Sequence, residues 1–409
     1  MQVEHPCPQC GGPVTLEESD RFLDCGFCRV RLYIFSKGSL RYFLPPKSRP
    51  IDKTLFVPYW RFRGMVFSIG ASDIQHKVVD ASFRARDARF LPPSLGFRAQ
   101  ALKMKFASPE IKAAFLAPQY ALKGDLSKIH AVADYLGKPS GGVFHRAYLG
   151  ETLSLIYAPV YIKNNKLFDG VLDKAMGTAG PEIETALSAD READRGWGLR
   201  FASALCPNCG WDLSGGRESL VLFCGHCKTA WQAQGADFKK VELGVLPSEG
   251  GGEVYLPFWC ASVEIEGLQL ESYADFAKAA NLPKAIRPEW HEKPLLFWSP
   301  AFKSHPKIYL RLCSQLTTLQ PEAEPEAAMP KATICPVTVD AQEAFESIKV
   351  TLAETLTSKK TLLPALDALP VKAKAATLAL IPFHLRGSEL IQNEFKLSFQ
   401  KRSVHGLEI

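Results

Sequence analysis

The sequence predicts an α+β protein of duplicated architecture, in which two four-cysteine ribbons are each followed by a β-rich domain. Three observations carry this. Eight of the eleven cysteines fall in Cys-x2-Cys pairs, the pairs recur at one constant offset, and proline-aromatic strand patterns follow each set with few helical periods between them.

The first set is Cys7, Cys10, Cys25 and Cys28, and the second is Cys206, Cys209, Cys224 and Cys227. Fourteen residues separate Cys10 from Cys25 and also Cys209 from Cys224. An offset of 199 maps one set onto the other and carries Val57-Pro58-Tyr59-Trp60 onto Leu256-Pro257-Phe258-Trp259 without a gap. A second correspondence, at offset 141, takes the stretch 155–161 onto 296–302 and implies a segment of 58 residues gained or lost between the halves. Pro382-Phe383-His384-Leu385 gives a fainter third echo of Pro159-Val160-Tyr161-Ile162.

Two Cys-x2-Cys knuckles offer four thiolates to one tetrahedral ion, the arrangement of a structural zinc site. The sequence therefore predicts two structural Zn2+ ions in rubredoxin-like zinc ribbons. The gap between knuckles is shorter than in rubredoxin itself, which favours zinc over iron. Gly11 and Gly210 let the backbone bend around the sulfurs, Gly26 and Gly225 serve the second knuckles, and Arg29, Arg31 and Lys228 offset the thiolate charge. Four cysteines leave no ligand position for water, which argues against zinc hydrolysis. His226 is a competing ligand, but Phe27 stands at its place in the first set, so cysteine is preferred. Cys260, Cys313 and Cys335 sit among apolar residues and read as buried small hydrophobes.

The proline-aromatic segments read as strand starts. Asn164-Asn165 and Gly387-Ser388 each lie between apolar stretches and predict tight hairpin turns. Helical periods occur at 125–136, 182–193 and 341–355, the last beginning after Asp340 as N-cap. Punctuation by proline, glycine and serine divides the chain into ribbon one (1–46), a β-rich α+β domain (50–198), ribbon two (199–245), a shorter β-rich domain (252–320), an acidic Pro/Glu linker (321–331) and a C-terminal α+β segment (332–409).

With 49 basic against 43 acidic residues the net charge of +6 does not by itself mark a nucleic-acid binder. No apolar run reaches the roughly 18–20 residues of a transmembrane helix, and no signal-peptide pattern opens the chain. A cytoplasmic protein is expected. Phosphate loops, dinucleotide fingerprints, zinc-protease helices and nucleophile elbows are missing from the sequence, and Asp190, Glu192 and Asp194 have no catalytic partner. The reading is therefore non-catalytic.

The Cys-Pro-x-Cys-Gly ribbon, Leu44-Pro45-Pro46, the Val-Pro-Tyr-Trp-Arg-Phe-Arg-Gly run at 57–64 and the Ser-Leu-Gly-Phe-Arg run from Ser94 resemble a group of uncharacterised bacterial tandem zinc-ribbon proteins. Some of these carry a primosomal-helicase-like label. The resemblance spans most of the chain and implies no helicase activity, because the motor's nucleotide-binding motifs are not present.

Two functions follow. The first is a scaffold or adaptor that mediates protein-protein assembly or self-association, its halves carrying opposed charges: Arg61 and Arg63, Arg84 and Arg86, and Lys103 and Lys105 alternate on strands of the first half, while Glu264 and Glu266 follow Trp259 in the second. The second is nucleic-acid binding, in which those six basic residues, interleaved with Trp60, Phe62, Phe83 and Phe106, contact phosphates and bases. An anionic lipid surface would use the same residues. Tyr59, Trp60, Phe258 and Trp259 read as core before interface.

Overall fold

A computed structural model describes residues 1–87, 91–96, 102–119, 142–178, 197–235, 237–247, 252–322 and 329–407. The mixed α+β class holds: strands dominate and helices are few. The first ribbon comprises β1 (Gln2–Pro6), β2 (Pro13–Glu17), β3 (Phe22–Asp24) and β4 (Arg31–Ser36). An eight-stranded sheet follows, built from β5 (Leu40–Phe43), β6 (Leu55–Ile69), β7 (Ile74–Arg84), β8 (Lys105–Phe106), β9 (Ala114–Phe115), β10 (His145–Lys163), β11 (Lys166–Asp169) and β12 (Lys174–Thr178). The second ribbon has β13 (Leu199–Ala202), β14 (Leu213–Ser214), β15 (Val221–Cys224), β16 (Thr229–Gln234) and β17 (Asp237–Val241). Its sheet contains β18 (Leu243–Val245), β19 (Val254–Ile265), β20 (Phe297–Pro300), β21 (Thr333–Ile334), β22 (Val371–Arg386), β23 (Glu389–Gln392) and β24 (Leu397–Gln400).

Each sheet is organised around two long antiparallel strands, β6 with β10 and β19 with β22. The outer edge of each long strand is shared end to end by two shorter ones. Beside β6 run β7 and β9, and beside β10 run β5 and β11; β19 and β22 are flanked in the same way by β20 and β21 and by β18 and β23. The registers agree. Tyr157 lies opposite Pro58 as Leu380 lies opposite Pro257, and Arg84 opposite Tyr59 as Pro300 opposite Phe258. This corrects the pairing of 155–161 with 296–302. The stretch 296–302 contains β20, which holds the place of β7, whereas the counterpart of β10 is β22, seen in sequence only as the faint third echo. A strand on either side of the central one shows the same aromatic-proline pattern, so a short match does not tell which neighbour it is.

The prolines are also displaced from their expected positions. Pro58, Pro159, Pro257 and Pro382 lie within long strands, not at their starts. In three of them the carbonyl accepts a hydrogen bond from the residue at the end of a flanking ladder: Ala85 N to Pro58 at 3.0 Å, Gly170 N to Pro159 at 2.8 Å and Ala301 N to Pro257 at 2.9 Å. A residue in an antiparallel strand directs its N–H and C=O to one side, so the missing N–H falls where the neighbouring strand turns away. At Gly64 the reason for glycine is close approach, since an added Cβ would lie 2.2 Å from the Leu149 carbonyl.

Both predicted hairpin turns are present. Lys163 pairs with Lys166 around Asn164 and Asn165, whose φ values are 50° and 59°, and Arg386 pairs with Glu389 around Gly387, at φ 60°. Among the described residues the helices are α1 (Tyr273–Ala279), α2 (Pro306–Leu319), α3 (Ala341–Glu346), α4 (Ile348–Thr355) and α5 (Lys359–Ala365). Asp340 caps α3 by accepting from Glu343 N at 2.9 Å, but the single helix expected over 341–355 breaks at Ser347, whose hydroxyl returns to the Ala344 carbonyl. The helical periods at 125–136 and 182–193, and most of the Pro/Glu stretch, lie outside the described residues.

The hydrophobic clusters cross the boundaries drawn from sequence. Ribbon one shares a cluster with its sheet through Val3, Leu16, Ile34, Tyr42 and Ile156. The two ribbons share another through Phe22, Tyr33, Leu222 and Trp231, and β13 pairs directly with β4. Ends of both sheets, at Phe67, Ile69, Leu149 and Ile265, bury against α1, α2, α4 and α5. Tyr59, Phe258 and Trp259 are core, as the sequence suggests, while Trp60 is only half-buried.

Charged groups seal these junctions. Glu18 of ribbon one, 3% exposed, receives a very short bond from the Arg61 guanidinium and one of 2.5 Å from Ser154 Oγ, while Arg61 also grips Asp80 at 2.7 Å. Asp20 pairs with Arg217 of ribbon two at 2.6 Å; burial pushes its carboxyl up. Ser19 bonds to Glu218, and Glu218 pairs with the buried Lys303 at 2.8 Å; burial opposes the Glu218 carboxylate, but Lys303 holds it below its ordinary value.

Replacing Arg61 by alanine strands the buried Glu18 carboxylate and should cost about 3–5 kcal/mol, read as a drop in the urea midpoint, whereas Lys103→Ala at the exposed pair with Glu4 should barely move it. His76 of β7 meets His305, the N-cap of α2, with ring centroids 6.0 Å apart; burial, then His305 and Lys307, hold its imidazole below its ordinary value. The unfolded chain then takes up this proton first, so stability falls as pH drops through the unfolded value of about 6.5. Denaturant midpoints measured between pH 7 and 5 should fall less in His76→Gln than in the wild type.

Candidate metal centres

Each knuckle is a tight turn held by the backbone. Gly11 N donates to Cys7 O at 2.8 Å and Arg29 N to Cys25 O at 2.9 Å; in ribbon two Gly210 N donates to Cys206 O at 2.8 Å and Lys228 N to Cys224 O at 3.0 Å. The residue after the second cysteine takes the left-handed conformation in the first knuckles, where it is Gly11 (φ 75°) and Gly210 (φ 73°). In the second knuckles Arg29 (φ 60°) and Lys228 (φ 59°) take it, which corrects the role expected of Gly26 and Gly225.

These turns bring all four sulfurs of each set within 4.8 Å of one another. Cys7 and Cys28 are 3.8 Å apart, Cys10 and Cys25 3.6 Å, and both Cys206 to Cys227 and Cys209 to Cys224 are 3.5 Å. A tetrahedron with metal-sulfur bonds of about 2.3 Å has edges of about 3.8 Å, so the spacing suits a metal ion. All eight thiols are free of disulfides, and no histidine or carboxylate belongs to either group. His226 instead stacks on Trp211, with ring centroids 5.3 Å apart and planes inclined by 19°.

Electrostatics favours a cation. Hydrogen bonds from the Cys28 and Phe27 amides bring Cys25 down to about 6, and hydrogen bonds from Asn208 and Thr229 do the same for Cys227. Cys28 gains from the Val30 amide, yet burial and its thiol neighbours push it up to about 12, and Cys209 follows suit beside the Trp211 amide. Four thiolates cannot crowd together without a dication to hold them. Arg31 does not supply that charge. It pairs with Asp24 at 3.3 Å, covers the Phe22 ring at 3.9 Å and donates to Gly215 O, joining the ribbons to each other.

The expected anion-binding residues are placed very differently. Arg61 is consumed by Glu18 and Asp80, and Arg86, 5% exposed, donates to the Ala117 carbonyl. Arg84 donates to Leu91 O at 3.2 Å, and Lys103 pairs with Glu4 at 2.8 Å outside the strand, which contains only Lys105 and Phe106. Arg63 and Lys105 are exposed. The six therefore do not form one basic face. Nor are Glu264 and Glu266 a bare acidic face, because Lys374 and Lys372 of the adjacent strand answer them. Their partners lie far away in sequence. The acidic run Glu17-Glu18-Ser19-Asp20 inside a ribbon was the one local sign of such a junction.

Burial pushes the Cys260 and Cys335 thiols up to about 12 and Cys313 higher; Cys313 and Cys335 are small core residues, whereas Cys260 is half-buried at the edge of its cluster. No described helix is long and apolar enough to cross a membrane. Compared with family models, with curated proteins and with solved structures, the chain finds no match.

Elemental analysis of the purified chain should give two metal ions per molecule. Cys10→Ser or Cys209→Ser should each lower that number by at least one, and the shared ribbon cluster predicts a loss of thermal stability in both.

Proposed function

We propose that the chain is a non-catalytic scaffold or adaptor for protein-protein assembly, with Zn2+ in both centres. All-thiolate tetrahedral sites without an open position favour structural zinc, and free thiols of this kind fit a reducing compartment such as the cytoplasm. The observation that carries the assembly role is the outer surface of the knuckles. Phe27 is 67% exposed and Trp211 61%, aromatic groups of a size usually buried unless a partner covers them. Their positions on metal-braced turns make them rigid anchors.

A gene-level duplication is part of this reading. It is supported by the matched registers of the two sheets and by the bond between Ser19 and Glu218, residues at equivalent positions of the two ribbons. Such self-facing contact is the geometry of an isologous pair.

The experiment compares wild type with a Phe27→Ser/Trp211→Ser variant. Metal content and folding should be unchanged, while a cross-linked protein partner recovered with wild type is lost. Oligonucleotide anisotropy serves as the counter-test: affinity that falls steeply with salt and disappears on charge reversal of Arg63 and Lys105 would replace assembly by nucleic-acid binding.

A further inference from the structure

The two four-cysteine centres share their backbone turns but not what surrounds their sulfurs. In ribbon two the Trp231 indole Nε1 donates to Thr229 Oγ1 at 2.8 Å, and that hydroxyl lies 3.0 Å from Cys227 Sγ and 3.8 Å from Cys206 Sγ. The offset of 199 places Val30 and Leu32 at these two positions in ribbon one, and neither side chain has a polar atom. We propose that ribbon one is the oxidant-reactive site of the chain, where a peroxide converts its thiolates to disulfide and expels the metal, while the Thr229 hydroxyl shields ribbon two. The inference rests on the metal reading above and not on the assembly role.

The indole fixes the direction of the hydroxyl. With an oxygen lone pair engaged by Trp231 Nε1–H, Thr229 turns its own hydrogen to the sulfurs, and a thiolate only accepts. Such a bond draws electron density from sulfur and lowers its nucleophilicity, the property that sets its rate of attack on an O–O bond. Trp231 is 9% exposed and belongs to the cluster shared by both ribbons, so core packing holds the relay in place. Asn208 adds a side-chain bond to Cys227, where ribbon one has Gln9. Amide bonds to sulfur occur in both ribbons, from Cys28 and Phe27 to Cys25 and from Cys227 to Cys224, so the difference lies in the side chains. Access adds to it: Cys10 and Cys28 are exposed, whereas Cys227 is half-buried.

The reaction balances on these thiolates and hydrogen peroxide. The Cys10 thiolate attacks one peroxide oxygen, the O–O bond breaks, and a sulfenic acid forms as hydroxide leaves. Cys25 Sγ, 3.6 Å from Cys10 Sγ, then attacks that sulfur; the S–S bond forms and a second hydroxide leaves. Two thiolates have given up two electrons, and the peroxide, with two protons from solvent, has become two waters. Cys28 and Cys7, 3.8 Å apart, repeat the step with a second peroxide. Sulfurs tied in a disulfide no longer serve as thiolate donors, so ribbon one gives up its ion.

The test treats the metal-loaded full chain with hydrogen peroxide in the presence of a colorimetric zinc chelator and maps oxidised cysteines by differential alkylation and mass spectrometry. The ions should leave in two phases. Disulfide among Cys7, Cys10, Cys25 and Cys28 should accompany the faster one, separated from the slower by about fivefold or more. Thr229→Val should bring the slow phase toward the fast one, while Thr229→Ser, which keeps the hydroxyl, should hold them apart. The wild-type map decides the order of the two centres even if Thr229→Val fails to fold. Equal rates in wild type, ribbon two oxidised first, or a slow phase unmoved in folded Thr229→Val would overturn the proposal. Fewer than two ions in the untreated chain would instead overturn the metal reading beneath it.

Discussion

Four sulfurs held within 4.8 Å of one another cannot all ionise unless a cation sits among them, and the remaining structure depends on satisfying that constraint twice. The ribbons are too small to hold their turns by packing alone. Once braced, each can present its short strands to something larger: ribbon one to the sheet that follows it, ribbon two to its own sheet, and both to each other through Phe22, Tyr33, Leu222 and Trp231. The two four-cysteine clusters thus sit at the corners between which the apolar clusters close.

Charge is spent inside the molecule. From Arg61 through Glu18, and from Ser19 through Glu218 to Lys303, polar groups run across the junction of two ribbons and two sheets. Buried pairs of this kind contribute little net stability, because desolvation offsets attraction, but a misplaced partner is heavily penalised. They set the docking angle of the parts more than they strengthen it. The same economy removes Arg61 and Arg86 from any basic surface and leaves the exposed aromatic rings of Phe27 and Trp211 as the more prominent outward features.

The long central strands show how a pattern can be legible and still be misplaced. Aromatic residues beside proline do mark strands here, and Asn164-Asn165 and Gly387-Ser388 do turn them back, since these are local preferences of the backbone. The location of each proline within its strand depended instead on where a neighbouring strand stopped. Ser347 split a helix whose apolar period runs on unbroken in sequence, because its hydroxyl found the Ala344 carbonyl.

By itself, the sequence determined the eight thiols that cluster in two sets of four, the turns around them, the strand-rich α+β class and the two hairpins, all of which rest on residues close together along the chain. Tertiary structure alone decided that β22 and not the stretch 296–302 is the counterpart of β10, that Glu18 neutralises Arg61, and that Lys372 and Lys374 answer Glu266 and Glu264. The physical reason is separation: Coulomb attraction and strand pairing act over a few ångströms in space, between residues tens to hundreds of positions apart, and no local preference of the chain records which of them will meet.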